Sequence, residues 1–166
     1  MDIKNGSLIF YPNVDKIKWK ERISKLFDPE TEIDLNLRPH ITILYGFDNS
    51  VMDLERLLIV VNNFIDNNQF SLHAEHISTF DNNPPIVKVD VIDLNGNLNK
   101  LNEILRHEFK CKVDYPRYLP HITIGTIMSP DISSKTQKIN IEEFGFDNLN
   151  KGVIRYYDGV TNMIDL

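Results

Sequence analysis

The sequence has one cysteine among 166 residues, no long hydrophobic run, and fewer basic than acidic residues. The single Cys111 excludes a disulfide framework and a thiolate metal cage, and a lone thiol suits a reducing compartment. The longest apolar stretches, such as residues 57–61, are far shorter than the roughly 20 residues that cross a membrane. No basic segment followed by an apolar run stands at the start, so we predict neither a signal peptide nor a membrane span.

The excess of acidic residues limits which ligands the protein is expected to bind. With 18 Lys and Arg against 24 Asp and Glu, the net charge is -6. A general nucleic-acid coat would need a basic face to neutralise phosphates, whereas a small phosphorylated ligand needs only local positive charge. The 42% of hydrophobic residues is ample for one packed core. We therefore expect a single-domain cytoplasmic protein.

Hydrophobic periodicity predicts that strands and helices alternate along the chain. The predicted strands are residues 7–11, 40–47, 69–80, 86–92 and 121–127. The predicted helices are residues 15–27, 54–65 and 98–109. In the first of them, Ile17, Ile23, Leu26 and Phe27 lie roughly on one side. Short strand-like pieces follow from residue 139. Elements in this order, joined by short connections, are typical of an α+β fold.

An internal repeat links the two halves of the chain. The two copies read Arg38-Pro39-His40-Ile41-Thr42-Ile43 and Leu119-Pro120-His121-Ile122-Thr123-Ile124. A strand and a helix precede each copy, with 32 positions from Leu8 to His40 and 34 from Val87 to His121. The repeat predicts one bilobal domain over residues 1–166, with related lobes over about 7–80 and 86–166 and a pseudo-two-fold axis between them.

Strand alternation predicts where the repeated side chains point. His40 and Thr42 share one face of their strand, as do His121 and Thr123, at a separation of about 7 Å within each pair. The isoleucines take the opposite face, under the helices. If the polar faces meet across a groove, two imidazoles can act as base and acid while two hydroxyls donate to an anion. The fitting ligand is a phosphodiester.

A structural role is the alternative for these histidines. One Pro-His-Ile-Thr segment is a weak signal, since an inward-facing histidine is more often only hydrogen bonded. Two near-identical copies at equivalent places favour the functional interpretation, because packing has no evident need for His and Thr twice on a polar face.

The twin motifs resemble the paired H-x-T-x motifs of the 2H phosphoesterase superfamily, also called LigT-like or 2'-5' RNA ligase-like. The resemblance runs from the first strand through Ile127, although residues 129–138 do not repeat the helix at 54–65. It implies a duplicated α+β fold around a central cleft and cleavage of phosphodiesters without a metal or other cofactor. It also implies that His40 and His121 are the acid and base, and that Thr42 and Thr123 hold the phosphate oxygens.

The resemblance leaves the substrate open. Such enzymes act on 2',3'-cyclic phosphates, 2'-5' linkages, cyclic ADP-ribose phosphates or RNA ends, and some phage members degrade cyclic oligonucleotide immune signals. The acidic charge favours a small nucleotide, and we predict no obligate protein partner; a phage enzyme would work in the host cytoplasm. The alternatives are a non-catalytic module that sequesters a nucleotide and a 2',3'-cyclic phosphodiesterase that processes RNA ends.

Residues near the motifs are candidates for substrate binding. Aromatic rings can stack on bases, and cations can contact phosphates. The candidates are Tyr11, Arg38, Lys88, Tyr115, Arg117 and Tyr118. Alternation puts Tyr45 on the Ile41 face and so predicts that it belongs to the core.

A second histidine pair, His73 and His76, carries no metal prediction. The flanking sequence looks extended, and residues three apart in a strand face opposite ways, so surface or hydrogen-bonded roles are expected. We also expect His107 to be exposed on its helix.

Overall fold

The computed structural model describes eleven segments of the chain. They are residues 5–12, 17–18, 20–21, 32–35, 39–48, 53–80, 82–109, 117–128, 137–138, 149–156 and 161–165. Within them lie two bounded helices, α1 (Leu54–Asn67) and α2 (Asn97–Phe109). The strands are β1 (Asn5–Pro12), β2 (Ile33–Leu35), β3 (Ile41–Asp48), β4 (Leu72–Phe80), β5 (Ile86–Asp93), β6 (His121–Ile127), β7 (Gln137–Lys138), β8 (Leu149–Tyr156) and β9 (Thr161–Asp165).

The strands form one sheet in which every ladder is antiparallel. Its order is β7-β4-β5-β6-β3-β1-β8-β9, and β2 pairs with β6 beside this path. The order is symmetric about its centre, since β4-β5-β6 on one side corresponds to β8-β1-β3 on the other. The mixed α+β fold predicted from the sequence is confirmed.

The sheet centre depends on one residue pair. Among the described strands, β3 and β6 are joined by Ile41 opposite Ile122. Farther along β6, the short strand β2 replaces β3 as the neighbour, with Leu35 opposite Gly125. The two halves therefore meet closely at the start of each repeated motif.

Both helices cover the sheet face that carries the motif isoleucines. Each places an apolar stripe on this face, as the helical period predicts. In α1 the buried side chains are Leu57, Val61 and Phe64; in α2 they are Leu98, Leu101, Asn102 and Leu105. The first helix begins where the Asp53 carboxylate accepts from the backbone N–H of Arg56 at 3.0 Å. The opposite sheet face carries the polar motif side chains.

The first predicted helix, residues 15–27, lies largely outside the described residues. Residues 17–18 and 20–21 are helical. Ile17 is 72% exposed, and the other residues expected on its side of the helix, Ile23, Leu26 and Phe27, lie outside the described residues. Residues 129–136, which bear on the imperfect repeat, also lie outside, and the lobe boundaries stay a prediction. No helix in the described ranges is both long and apolar enough to cross a bilayer.

Gly125 is a sensitive point of the sheet, because a Cβ there would collide with the backbone carbonyl oxygen of Asp34 and lie 3.1 Å from Ile33 Cγ2. We predict that Gly125→Ala lowers the free energy of unfolding by about 1–3 kcal/mol, as overpacking does. It should also speed hydrogen exchange of the β2 amides. Gly96→Ala is the control: its Cβ would meet nothing within 4 Å, so only backbone strain at φ +74° is expected. Unchanged β2 exchange in Gly125→Ala would contradict this prediction.

Candidate active site

The central pair brings the two motifs together. With Ile41 opposite Ile122, the antiparallel register continued by one residue sets His40 opposite Thr123 and Thr42 opposite His121. Directly opposed side chains of an antiparallel pair lie about 4.5–5.5 Å apart at Cβ. The register thus sets the two His–Thr pairs on the same face of the sheet, on neighbouring strands.

Burial separates the two faces as alternation requires. Ile41 and Ile43 are fully buried under the helices, and Ile122 and Ile124 are at most 1% exposed. The histidines and threonines are all half-buried on the other face. The isoleucines thus anchor each motif in the core, while the polar side chains stay accessible to a ligand.

Each motif ends on a β-bulge at its fourth residue. Thr42 pairs with Ile9 and Leu44 with Leu8, so Ile43 is the extra residue of β3. Thr123 pairs with Lys88 and Gly125 with Val87, so Ile124 is the extra residue of β6. The repeat of the sequence is thus also a repeat of strand register.

The first bulge corrects the prediction for Tyr45. Simple alternation would place Tyr45 with Ile41 in the core, but it is 63% exposed. The extra residue, Ile43, reverses the alternation, so Leu44 enters the core and Tyr45 pairs with Ser7 on the motif face. Tyr45 therefore joins the accessible aromatic residues of that face.

The two motifs have the same strand register but different neighbouring side chains on their outer strands. On β1, Ile9 lies opposite Thr42, and the Tyr11 ring meets His40 edge-on with centroids 6.5 Å apart. On β5, the equivalent positions hold Lys88 opposite Thr123 and Asp90 opposite His121. One histidine is therefore next to an aromatic ring, and the other is next to a pair of charges.

His121 is oriented by its own loop. Its Nδ1 lies 3.0 Å from the carbonyl oxygen of Leu119, which can only accept, so Nδ1 carries the proton. The Phe80 ring packs edge-on against the imidazole at 5.0 Å. Burial lowers the pKa of His121 and the Lys88 charge adds to this, outweighing the bond to Leu119 and the Asp90 charge, which raise it.

Lys88 belongs to a polar cluster next to His121. Its ammonium forms an ion pair with Asp90 and donates to Ser78 Oγ at 2.6 Å. Ser78 Oγ also lies 3.1 Å from Asp90 Oδ1, and the ammonium sits 4.9 Å from the Phe80 ring centroid. The Phe80 ring therefore contacts both the Lys88 ammonium and the His121 imidazole.

Two side chains from the second half bind the backbone of the first motif. The Tyr118 hydroxyl donates to the carbonyl oxygen of Thr42 at 2.9 Å, and the Asn102 amide donates to that of Ile43 at 2.6 Å. The Tyr118 ring packs against the core. Burial and the Asp93 charge raise the pKa of Tyr118, so its hydroxyl stays a donor. This placement differs from the base-stacking role predicted for Tyr118.

Comparisons with known proteins agree with this geometry. The family model of the 2'-5' RNA ligase superfamily matches residues 12–146. The chain belongs to the 2'-5' RNA ligase superfamily. It is accordingly a 2H-type phosphoesterase, as the twin motifs predicted. No curated protein sequence matches the chain.

Solved structures share the fold of this superfamily member. The E. coli LigT structure complexed with phosphate is 17% identical with a TM-score of 0.62, covering 98% of this chain and 95% of LigT. The MHV ns2 PDE domain is 14% identical with a TM-score of 0.55, covering 98% and 99%. A structure described as a phosphoesterase is 13% identical with a TM-score of 0.56, covering 99% and 96%.

The remaining residues singled out from the sequence of this 2'-5' RNA ligase superfamily member lie away from the four motif side chains or outside the described residues. Arg38 and Tyr115 lie outside the described residues. Arg117 is exposed in the loop before β6. His76 lies in β4, with Nδ1 3.2 Å from the Glu75 carboxylate, and His107 is exposed on α2 as predicted. Within the described segments, no three or more His, Cys, Asp or Glu side chains are grouped to hold a metal.

Sequence reasoning missed four residues that the structure places around the motifs. They are Ser78, Phe80, Asp90 and Asn102. Asn102 had a readable signal, since a polar residue one position from Leu101 and three from Leu105 falls on the buried stripe of α2. Asp90 shares a strand face with Lys88. Ser78 and Phe80 depend on the β4–β5 register, which the sequence does not reveal.

We predict that the pKa of His121 lies below the usual 6.5 of histidine and rises when Lys88 is replaced by Met. A lowered folded-state pKa means that unfolded chains bind the proton more readily, so stability is lost as pH falls through about 6.5. NMR titration of the imidazole protons measures the pKa in both proteins, and denaturant unfolding at several pH values measures the loss of stability. Lys100→Met, an exposed lysine of α2, is the matched control. An ordinary or raised pKa for His121 would contradict the prediction.

Proposed function

We propose that this protein cleaves a phosphodiester of a small nucleotide by two-histidine acid–base catalysis without a metal ion. The observation that carries the proposal is the register of Ile41 opposite Ile122, which gathers both His–Thr pairs on one accessible face. A phosphorus centre held between the pairs would have an imidazole on either side. Thr42 and Thr123 would donate to its non-bridging oxygens.

The two histidines divide the proton transfers. The neutral form of His121 carries its proton on Nδ1, so Nε2 has the lone pair that a general base needs. Because its pKa is lowered, His121 remains largely neutral at pH values just below the usual histidine pKa of 6.5. His121 takes the proton of water or a ribose hydroxyl, and His40, as imidazolium, protonates the departing oxygen. The kcat/KM profile falls on its acid side as His121 becomes protonated.

The proposed substrate class rests on the surroundings of the motifs. Tyr11 meets the His40 ring edge-on and Tyr45 is exposed on the same face, so aromatic surface is available for a base. Lys88 lies opposite Thr123, and its ammonium, paired with Asp90, is the cation placed beside that motif. The net charge of -6 disfavours long RNA. We propose cyclic nucleotides, cyclic oligonucleotide signals or 2'-5' linkages as the class, including a phage role against an immune signal.

The relatives support phosphate chemistry in this fold. LigT has been solved complexed with phosphate, the anion that the four motif side chains would hold here, and the ns2 domain is described as a PDE. Two imidazoles and two hydroxyls supply both proton transfers and the anion contacts. The proposed scheme thus contains no step that requires a Lewis acid.

The first test replaces each histidine by Ala and screens ligands by mass spectrometry. The panel holds 2',3'-cyclic nucleotides, cyclic di- and trinucleotides and 2'-5'-linked oligoadenylate. His40→Ala and His121→Ala should each lower turnover about 10²–10⁴-fold, the usual contribution of a general acid or base. His107→Ala is the matched control because His107 is exposed on α2. Wild-type rates in both motif variants would overturn the proposal.

The same screen separates the alternatives. Unchanged ligand recovered in a stoichiometric complex would favour sequestration. Selective opening of 2',3'-cyclic ends on short RNA would favour RNA-end processing. Cleavage of cyclic oligonucleotides or 2'-5' linkages supports the proposed class.

A second test removes divalent cations. We expect turnover to stay within about twofold after treatment with EDTA, because the proton transfers belong to the two imidazoles. The same reaction with added Mg²⁺ or Mn²⁺ is the comparison. Loss of activity in EDTA that a divalent cation restores would contradict the metal-independent scheme.

A further inference from the structure

Two backbone carbonyl groups of the first motif accept hydrogen bonds from side chains in the second half of the chain. The ladder between β3 and β6 is the pair Ile41–Ile122, and β6 begins at His121, so β3 from Ile43 onwards runs past the start of β6. The carbonyl oxygens of Thr42 and Ile43 instead accept side-chain hydrogen bonds from Tyr118 and Asn102. These two bonds link β3 to the second half of the chain next to the point where the β3–β6 ladder ends.

Asn102 is placed to hold the bulge. It is 7% exposed and is the one buried polar residue in the part of the chain that the structure describes. Its partner, Ile43, is the extra residue of β3, whose bulge disrupts the local ladder. A buried carbonyl without a partner is unfavourable, so the amide stabilises the bulge conformation. The same bulge decides which face Leu44 and Tyr45 take.

Tyr118 connects the two motifs through one short segment. Its hydroxyl binds Thr42, and the next residue, Leu119, orients His121 through its carbonyl oxygen. The carbonyl of Pro120 accepts from the backbone N–H of Val91 at 3.0 Å, which fixes the segment on β5. Residues 118–121 thus bind Thr42 and orient His121 at once.

We propose that Tyr118 and Asn102 are positioning residues that set the separation and angle between the two His–Thr pairs. The proposal rests on the proposed function, since it assumes that both pairs act on one phosphate. Neither side chain touches the substrate; both act through the backbone of Thr42 and Ile43. Tyr118 matters most, because its bond joins the first motif directly to the loop of the second.

The test is a double-mutant cycle on the full chain. Tyr118→Phe removes the hydroxyl and keeps the ring, and should lower kcat on 2',3'-cyclic AMP about tenfold, as expected for one lost hydrogen bond, with KM changed less than kcat. In a Thr42→Ala background, which lacks the hydroxyl to be positioned, the further loss should shrink below about threefold. The same tenfold loss in both backgrounds, or none in either, would overturn the proposal.

Phosphate binding, which needs no turnover, tests the positioning roles independently of the proposed function. Inorganic phosphate is titrated while the imidazole protons of His40 and His121 are followed by NMR. Wild-type protein should show both rings responding with one Kd, and Tyr118→Phe should raise that Kd severalfold. If both rings respond to phosphate but no nucleotide is turned over, the proposed function is overturned and the positioning roles are not. An unchanged Kd in Tyr118→Phe would overturn them.

Asn102→Ala gives the corresponding test of the bulge. It should raise the phosphate Kd and speed amide exchange within β3 while the chain remains folded by circular dichroism. Asn62→Ala, at an exposed position of α1, is the matched control and should change neither. If Asn102→Ala fails to fold, Tyr118→Phe decides the proposal. If Asn102→Ala folds and shows the amide exchange and phosphate Kd of the wild-type protein, the positioning role of Asn102 is overturned.

Discussion

The site depends on one contact, the antiparallel pairing of Ile41 with Ile122 at the centre of the sheet. Both side chains are almost fully buried, so the hydrophobic effect holds the two motif strands where their polar faces coincide. A slip of one residue in either strand would exchange the faces and bury the histidines. Packing on one face of the sheet therefore determines the chemistry on the other.

The two motifs share a backbone geometry and differ in their neighbours. Each His-Ile-Thr-Ile segment ends on a bulge, and each pairs with its outer strand in the same register. The outer strands carry different residues at equivalent positions: Tyr11 and Ile9 in the first half, Asp90 and Lys88 in the second. The strand order gives the sheet two similar halves, and different neighbours give the histidines different environments. A reaction that needs one acid and one base suits such an arrangement.

Much of this was readable from the sequence, because alternation and the helical period are local properties. The elements, the core isoleucines and the polar pairs at His40 and His121 follow from them. Tyr45 was misplaced because a bulge reverses alternation and leaves no local mark. The roles of Tyr118 and Asn102 depend on bonds to residues 76 and 59 positions away, which periodicity cannot reveal.

A crystal structure of the full chain with vanadate tests the central claim most directly, since vanadate imitates a phosphorus centre under in-line attack. The account predicts a single vanadate between the motifs, with the rings of His40 and His121 within hydrogen-bond distance on opposite sides. The hydroxyls of Thr42 and Thr123 should contact its equatorial oxygens. Vanadate bound at one motif alone, or rings turned away from a common ion, would contradict the account.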